Sequence, residues 1–268
     1  MSTDGYFMES EEEAKRLDLK TDPTVVDRHA RWAGLQPGMR VADLGCGSGK
    51  TTFYLSKIAG TKGETVGIDN SGQRIEFAKK HYSAERIDYV LADIRSDLSS
   101  LGKFDFVWIR FVMEYYGSTA YEIIKNINTI LKPGGILCLI DLDYNCLTHY
   151  GLPKRLESAI QGIKQTLEKK ADFDPYAGRK LYSYLYDMKY RDIDMTIEAH
   201  HLIFGELNEI DAFNWTKKVE VGGKLSGYPF SDYEGGYEEF FEEFKRIFTH
   251  PRRFTYTPII LCRGKKPN

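Results

Sequence analysis

Asp43-Leu44-Gly45-Cys46-Gly47-Ser48-Gly49-Lys50-Thr51 is the stretch on which the fold turns. It follows a short apolar run, Arg40 to Leu44, and leads into a segment with helical character, Thr51 to Ala59. Glycine at every second position between a strand and a helix lets a ligand approach bare backbone at the helix start. Two phosphate-binding readings fail on spacing. A P-loop ending in Gly49-Lys50-Thr51 needs glycine five positions before Gly49, and Leu44 stands there. A dinucleotide fingerprint needs its third glycine one residue later, where Lys50 stands.

Outward from the loop, strands and helices alternate. Strands are expected at Glu64 to Asp69, Ile87 to Leu91, Phe104 to Ile109 and Ile136 to Leu142, with helices at Gly72 to Tyr82 and Ser118 to Leu131. Lys132-Pro133-Gly134-Gly135 reads as a turn. Strands this apolar belong to a sheet covered on both faces, so the pattern predicts an α/β, doubly wound, mostly parallel sheet. Upstream, Ser10-Glu11-Glu12-Glu13 opens one helix and Asp22-Pro23 another. Downstream the rhythm changes. Helices are expected at Pro153 to Lys170, Gly178 to Tyr190 and Tyr237 to Phe248, and strands at Ile193 to Phe204 and Phe254 to Cys262.

The ligand that best suits the loop is S-adenosylmethionine, which has a cationic amine and sulfonium and no phosphate. A carboxylate at Asp43 is then an asset. Asp69, ending the second strand, can accept from both ribose hydroxyls, and Asp93 can accept from the adenine amine while Ala92 and Ile94 flank the ring.

These residues resemble the class I S-adenosylmethionine-dependent methyltransferases over residues 38 to 142. The resemblance is carried by Val41 to Gly49, Gly67-Ile68-Asp69, Ala92-Asp93, Phe104 to Val107 and Leu131 to Gly135, in that order. It implies a Rossmann-like, seven-stranded sheet with an antiparallel last strand and the cofactor at the carboxyl ends of the first strands. A closer likeness is to the small-molecule group that includes the ubiquinone- and menaquinone-biosynthesis enzymes. One subset shares Tyr6, the run Glu11 to Leu17, the pair Arg110-Phe111 and the acidic Asp141-Leu142-Asp143. By resemblance, Tyr6, Phe7 and Arg16 belong to a segment that can fold over the cofactor as a lid.

The expected organisation is a single methyltransferase domain. Residues 1–37 form the helical lid, 38–145 the cofactor core, and 146–268 a substrate cap with the last two strands. Residues 151–180 and 206–250 are expected to cover the cleft. The cofactor-side residues are Asp43, Gly45, Cys46, Gly47, Gly49, Asp69, Asn70, Arg74, Ala92, Asp93, Ile94 and Arg110, with Arg74 standing where related sequences often carry methionine or leucine. Arg110 could alternatively hold an anionic substrate group. The acceptor-side residues are Tyr6, Arg110, Glu114, Tyr115, Asp143 and Tyr144, and no catalytic residue stands out. Cys46 reads as a small filler of the loop. His149, His200, His201 and His250 show no metal-like spacing, and adjacent His200 and His201 on a strand would face opposite ways.

Composition narrows the function classes. Lys plus Arg total 37 against 39 Asp plus Glu, a balance with no general attraction for nucleic acid. Neither a Pro-Cys pair nor an Asn/Asp-Pro-Pro-aromatic motif after the fourth strand is present, so base methylation is not indicated. No apolar run nears the roughly 20 residues of a membrane helix, and the first residues lack a signal-peptide pattern, so a cytoplasmic setting is expected. Cys46, Cys138, Cys146 and Cys262 form no CxxC pair, which argues against a zinc site or disulfide framework. Of 18 tyrosines, 14 fall at or after Tyr115, a skew that suggests an aromatic, substrate-selecting second half. The expected function is methyl transfer from S-adenosylmethionine to a small molecule by in-line displacement, leaving S-adenosylhomocysteine. The alternatives are a non-catalytic protein that retains cofactor binding, and a NAD-dependent oxidoreductase.

Overall fold

The computed structural model describes residues 11–144 and 148–268. Helices α1 (Glu11–Lys20) and α2 (Pro23–Ala33) precede an alternating core. That core runs β1 (Arg40–Leu44), α3 (Lys50–Ala59), β2 (Glu64–Asp69), α4 (Gly72–Tyr82), β3 (Ile87–Leu91), β4 (Phe104–Arg110), α5 (Ala120–Ile127) and β5 (Leu131–Leu142). The remainder is β6 (His149–Tyr150), α6 (Lys154–Ala171), α7 (Leu181–Asp187), β7 (Arg191–Phe204), α8 (Glu209–Ser226), α9 (Gly236–Phe248) and β8 (Phe254–Lys265).

The sheet order is β3-β2-β1-β4-β5-β8, with β7 along the outer side of β8. The first five strands are parallel. β8 runs antiparallel to both β5 and β7. This is the expected Rossmann-like sheet with a reversed last strand. An extra two-residue strand, β6, pairs with Thr255 and Phe254 of β8 beyond the end of β5.

Alternation explains why these strands are apolar throughout. Ala42, Val107, Ile109, Leu137, Leu139 and Cys262 face α5 and α7, while Val41, Phe106, Trp108, Cys138, Ile140 and Leu261 face α2 and α3. A period of two with both faces covered leaves no solvent position in the strand. Local signals set the helix ends. The Asp22 carboxylate accepts from the Thr24 N–H at 2.8 Å, Pro23 takes the first turn, and Gly34 closes α2 in the left-handed region.

A third core lies away from the sheet, where Leu156, Ile160, Trp215, Phe240 and Phe244 join α6, α8 and α9 over Ile203 of β7. Helix α8 replaces a stretch in which no helix is expected from the pattern. Of its buried residues, Asn214, Trp215, Gly223 and Ser226, three are polar or glycine, so no apolar stripe announces it. Two further expectations change. The proposed turn at Lys132 to Gly135 is the irregular start of β5, whose register with β4 shifts between Phe104 and Phe106. His200 and His201 lie on the same side, with ring centroids 4.2 Å apart, because a bulge between Ala199 and His201 breaks the strand's alternation. Among the described residues no helix is long and apolar enough to cross a membrane, and no three His, Cys, Asp or Glu side chains gather in a metal-like group.

Candidate functional site

A cavity of about 940 Å³ opens at the carboxyl ends of β1, β2 and β4. That volume lies near the upper end of the roughly 300–1,000 Å³ typical of small-ligand sites. Its floor is Asp43, Gly45 to Ser48, Asp69, Asn70, Ala92 and Ile94. Arg16, Leu17 and Lys20 of α1, the last turn of α6, and Lys218 and Leu225 of α8 enclose it. α9 contributes no lining residue. Of the two segments expected over the cleft, α6 and α8 reach it and α9 packs behind them.

The glycine loop is shaped by close approach. Gly45 and Gly49 have φ of +76° and +83°. A Cβ on Gly45 would lie 2.4 Å from Val112 Cγ2, and one on Gly49 2.6 Å from the Ala78 Cβ. Gly49 serves this packing and does not line the cavity. The Gly45 and Cys46 N–H groups both donate to the Ile68 carbonyl, and the Gly47 N–H donates to Asp69 Oδ2 at 2.9 Å. Cys46 is buried, and burial beside the Asp43 and Asp69 carboxylates pushes its thiol well up, which suits a neutral filler.

Asp43 is 2% exposed and accepts from the Thr52 hydroxyl at 2.7 Å. Burial raises its pKa to about 7 against the opposing pull of Thr52 and Arg110. Asp69 is already engaged within the protein. Its Oδ1 accepts from the Ser71 N–H at 3.0 Å and from Arg74 Nε at 3.0 Å, and Arg74 Nη2 lies 2.9 Å away. Arg74 also donates to Asn70 Oδ1 at 3.1 Å. The floor therefore presents a carboxylate–guanidinium edge, with Asp69 Oδ2 its less occupied oxygen.

Asp93 departs from its expected place. Its carboxylate accepts from the Arg95 N–H and forms a two-point pair with the Arg95 guanidinium, and Arg95, not Asp93, lines the cavity. Asp143 and Tyr144 also lie outside the lining. Asp143 pairs with Arg179 at 2.7 and 3.0 Å, while Tyr144 stacks on Tyr176 and accepts from Gln161 Nε2. Tyr6 and Phe7 fall outside the described residues.

Arg110, Glu114 and Tyr115 do line the cavity. Phe111, at φ +58°, turns the chain sharply after β4 and sets the Arg110 guanidinium 4.3 Å from its own ring centre. Burial lowers the Arg110 pKa to about 10. Its Nε is buried without a hydrogen-bond partner among the described residues. Glu114 is 3% exposed. Its N–H donates to Asp141 Oδ2 at 3.2 Å, and burial together with the Glu114 charge raises the Asp141 carboxyl well above its ordinary range. Asp141 is thus a prop beneath the loop.

Sequence reading missed Lys20, Arg95 and Lys218. Lys20 was within reach, since it lies four residues after Arg16 and shares its helix face. Lys218 stands on the unexpected helix. The tyrosine skew changes meaning as well: past Tyr116, no tyrosine lines the cavity. Tyr182 and Tyr186 are exposed, Tyr184 packs on Tyr121, and Tyr228, Tyr233 and Tyr237 belong to the third core.

Comparison with known proteins agrees with this geometry. The methyltransferase-domain family matches residues 35–197. The demethylmenaquinone methyltransferase of Staphylococcus aureus (strain MRSA252) is 32% identical over 135 residues, which cover 47% of this chain and 56% of that protein. The chain spans about half the length of the curated relatives it matches. A Bacillus halodurans C-125 protein shares the fold at a TM-score of 0.58 and 14% identity, over 91% of this chain and 100% of that one. So does Haemonchus contortus phosphoethanolamine N-methyltransferase 2, solved with phosphomonomethylethanolamine and S-adenosylhomocysteine, at 0.55 and 14%, over 91% of this chain and 53% of that one. With more than half of its length matched, the chain belongs to the methyltransferase-domain family, as a class I S-adenosylmethionine-dependent domain distantly homologous to the demethylmenaquinone methyltransferases.

Proposed function

We propose that this protein transfers the methyl group of S-adenosylmethionine to a small-molecule acceptor. The observation that carries the reading is that one cavity is lined both by the glycine loop, Asp43 and Asp69 and by Glu114 and Tyr115. The residues fit the cofactor. A Cβ on Gly45 would meet Val112, and Gly47 sits at φ +56°, a conformation L side chains rarely adopt, so backbone faces the ligand. Gly45 to Ser48, Asp43, Asp69, Asn70, Ala92 and Ile94 would hold it, with Asp43 toward the ligand's amine and Asp69 Oδ2 toward its ribose.

When bound, S-adenosylmethionine supplies a methyl group already activated on its sulfonium. The protein's share is alignment and the exclusion of water. Arg16, Leu17 and Lys20 of α1 close one side and the end of α6 the other. A proton acceptor is required only for a nucleophile of high pKa. Glu114, buried and facing the cavity, is the side chain placed to take that proton on its carboxylate. A small acceptor is supported by the enclosed volume and by the acceptors named for the relatives.

Thermal denaturation tests the reading. S-adenosylhomocysteine at about 100 times its Kd contributes about 2.7 kcal/mol, which for a chain of this size corresponds to a rise in Tm of about 5 °C or more. Asp69→Ala is expected to abolish the shift. A shift with NAD and none with S-adenosylhomocysteine would reverse the reading. Label transfer from methyl-tritiated S-adenosylmethionine to small molecules of a cell extract separates transfer from binding alone.

A further inference from the structure

The helical covering of the sheet stops partway along β8. On one face of that strand Thr255, Thr257, Ile259 and Leu261 are all buried. The other face is buried only toward its end. There Cys262 joins the core with α7, and a Cβ on Gly264 would lie 3.2 Å from Tyr190 and 3.3 Å from Leu185. Toward the start of β8 the same face carries Phe254 and Tyr256, both 39% exposed. Residues directly opposite in antiparallel strands share a face. Phe204 of β7 and Tyr150 of β6 stand opposite Phe254, and Leu202 stands opposite Tyr256. Ile197 stands opposite Ile260, which is on that face by alternation. Tyr150, Ile197, Leu202 and Phe204 are between 56% and 70% exposed.

Three strands thus present an apolar sheet face without a charged side chain among these residues. Together the six leave roughly 700 Å² open, above the ~300–600 Å² of the largest patch on a typical monomer and near the ~800 Å² that each partner buries in a standard-size interface. The outer edge of β7 is guarded, because its register breaks between Arg191 and Asp194 and again between Ala199 and His201. Bulges of this kind blunt an edge against strand addition. The face carries no comparable guard. We propose that two copies of the chain join here, face to face, as a symmetric dimer about a two-fold axis that crosses the strands near Ala199. Two sheet faces pack in this way about 10 Å apart, with their side chains interdigitated. Such an axis sets each end of the patch against the opposite end of its copy. Exposed Arg191 and Asp192 lie at one end, and exposed Glu206 and Arg252 at the other. Each sign therefore meets its opposite across the interface, which favours a second copy as the occupant. An anionic lipid surface would instead select Lys and Arg around the patch.

Sedimentation equilibrium of the whole protein, from nanomolar to micromolar concentration, tests the proposal without reference to transfer activity. A reversible dimer is expected, with a micromolar or tighter dissociation constant. Ile197→Glu/Leu202→Glu places like charges beside the axis on both copies and is expected to raise that constant at least a hundredfold. Its circular dichroism should match the parent's, because both side chains are exposed in the single chain. Tyr150→Ser/Phe204→Ser removes apolar area without adding charge and is expected to weaken the dimer at least tenfold; it carries the test if the glutamate variant does not fold. The proposal is overturned if the protein sediments as a single chain throughout, or if the folded variants dimerise as the parent does. Binding of single chains to phosphatidylglycerol vesicles, lost in the same variants, would overturn it in favour of a lipid surface.

Discussion

Asp43 sits at the end of β1 with its carboxyl almost sealed from water, and burial sets its pKa at about 7. In the unfolded chain an aspartate titrates near 3.9. Between those values the free native protein holds a proton that the unfolded chain has released. This group's contribution to stability is therefore full at low pH and lost as pH rises through 7. A ligand ammonium beside it reverses the preference, because it favours the carboxylate. The affinity for S-adenosylhomocysteine is then expected to fall about tenfold between pH 8 and pH 6, with proton release on binding below pH 7. Calorimetry in buffers of different ionisation enthalpy measures both, and Asp43→Asn should flatten the profile.

Residues fixed by backbone geometry were the legible ones. Asp43, Gly45, Gly47 and Asp69 follow from a strand, a tight loop and a second strand, and their spacing leaves few alternatives. Asp93, Asp143 and Tyr144 were not legible, because their side chains choose among partners that spacing does not reveal: Arg95, Arg179, and Gln161 with Tyr176. Arg74 was legible as a neighbour but not as the guanidinium that occupies Asp69.

Among the elements, the helical cover is held by ring-to-backbone contacts. A Cβ on Gly162, in the middle of α6, would lie 2.1 Å from Tyr228 Cε2, and one on Gly223 of α8 would lie 2.8 Å from Tyr237 Cε2. These glycines look like helix flaws in the sequence and are contact surfaces in the fold. Gly162→Ala must displace the Tyr228 ring, and overpacking of this kind costs about 1–3 kcal/mol. Urea unfolding should show that loss, while the Kd for S-adenosylhomocysteine changes less than twofold because the loop lies elsewhere. The same contacts explain why α8 was hidden. Its burial relies on glycine and on one tryptophan against neighbouring rings, so its sequence lacks the apolar stripe that marks α5 or α9.

At the scale of the whole molecule, the alternation of apolar strands and helices made the sheet legible, and each of its strands except the two-residue β6 falls close to its expected place. The cover was legible only as an aromatic region, since rings that pack on one another do not announce their neighbours by periodicity. We propose that sheet and cover unfold as one domain, because β7 belongs to both: Ile203 enters the third core while the strand pairs along β8. Trp108 in the sheet and Trp215 in the cover are each buried. Trp32→Phe/Trp215→Phe and Trp32→Phe/Trp108→Phe variants leave each reporter to be followed in turn against far-ultraviolet circular dichroism. Fluorescence and circular dichroism are expected to give the same midpoint in each, and two separated transitions would divide the chain.

The position of β8 has a consequence for how the chain folds. It fills the slot between β5 and β7, with Lys265 opposite both Ile136 and Arg191. β1, β2 and β3 pair in succession, and β4 and β5 add on the other side of β1, so these five strands need nothing that follows them in the chain. The outer edge of β5 and the whole of β7 must wait for residues 254–265. Closing a contact across that much chain is slow, and the waiting edge of β5 is apolar and open. The late step expected in folding is therefore the one that joins the sheet to its cover, and pulse-labelled hydrogen exchange is expected to show β7 and β8 protected after β1 to β5.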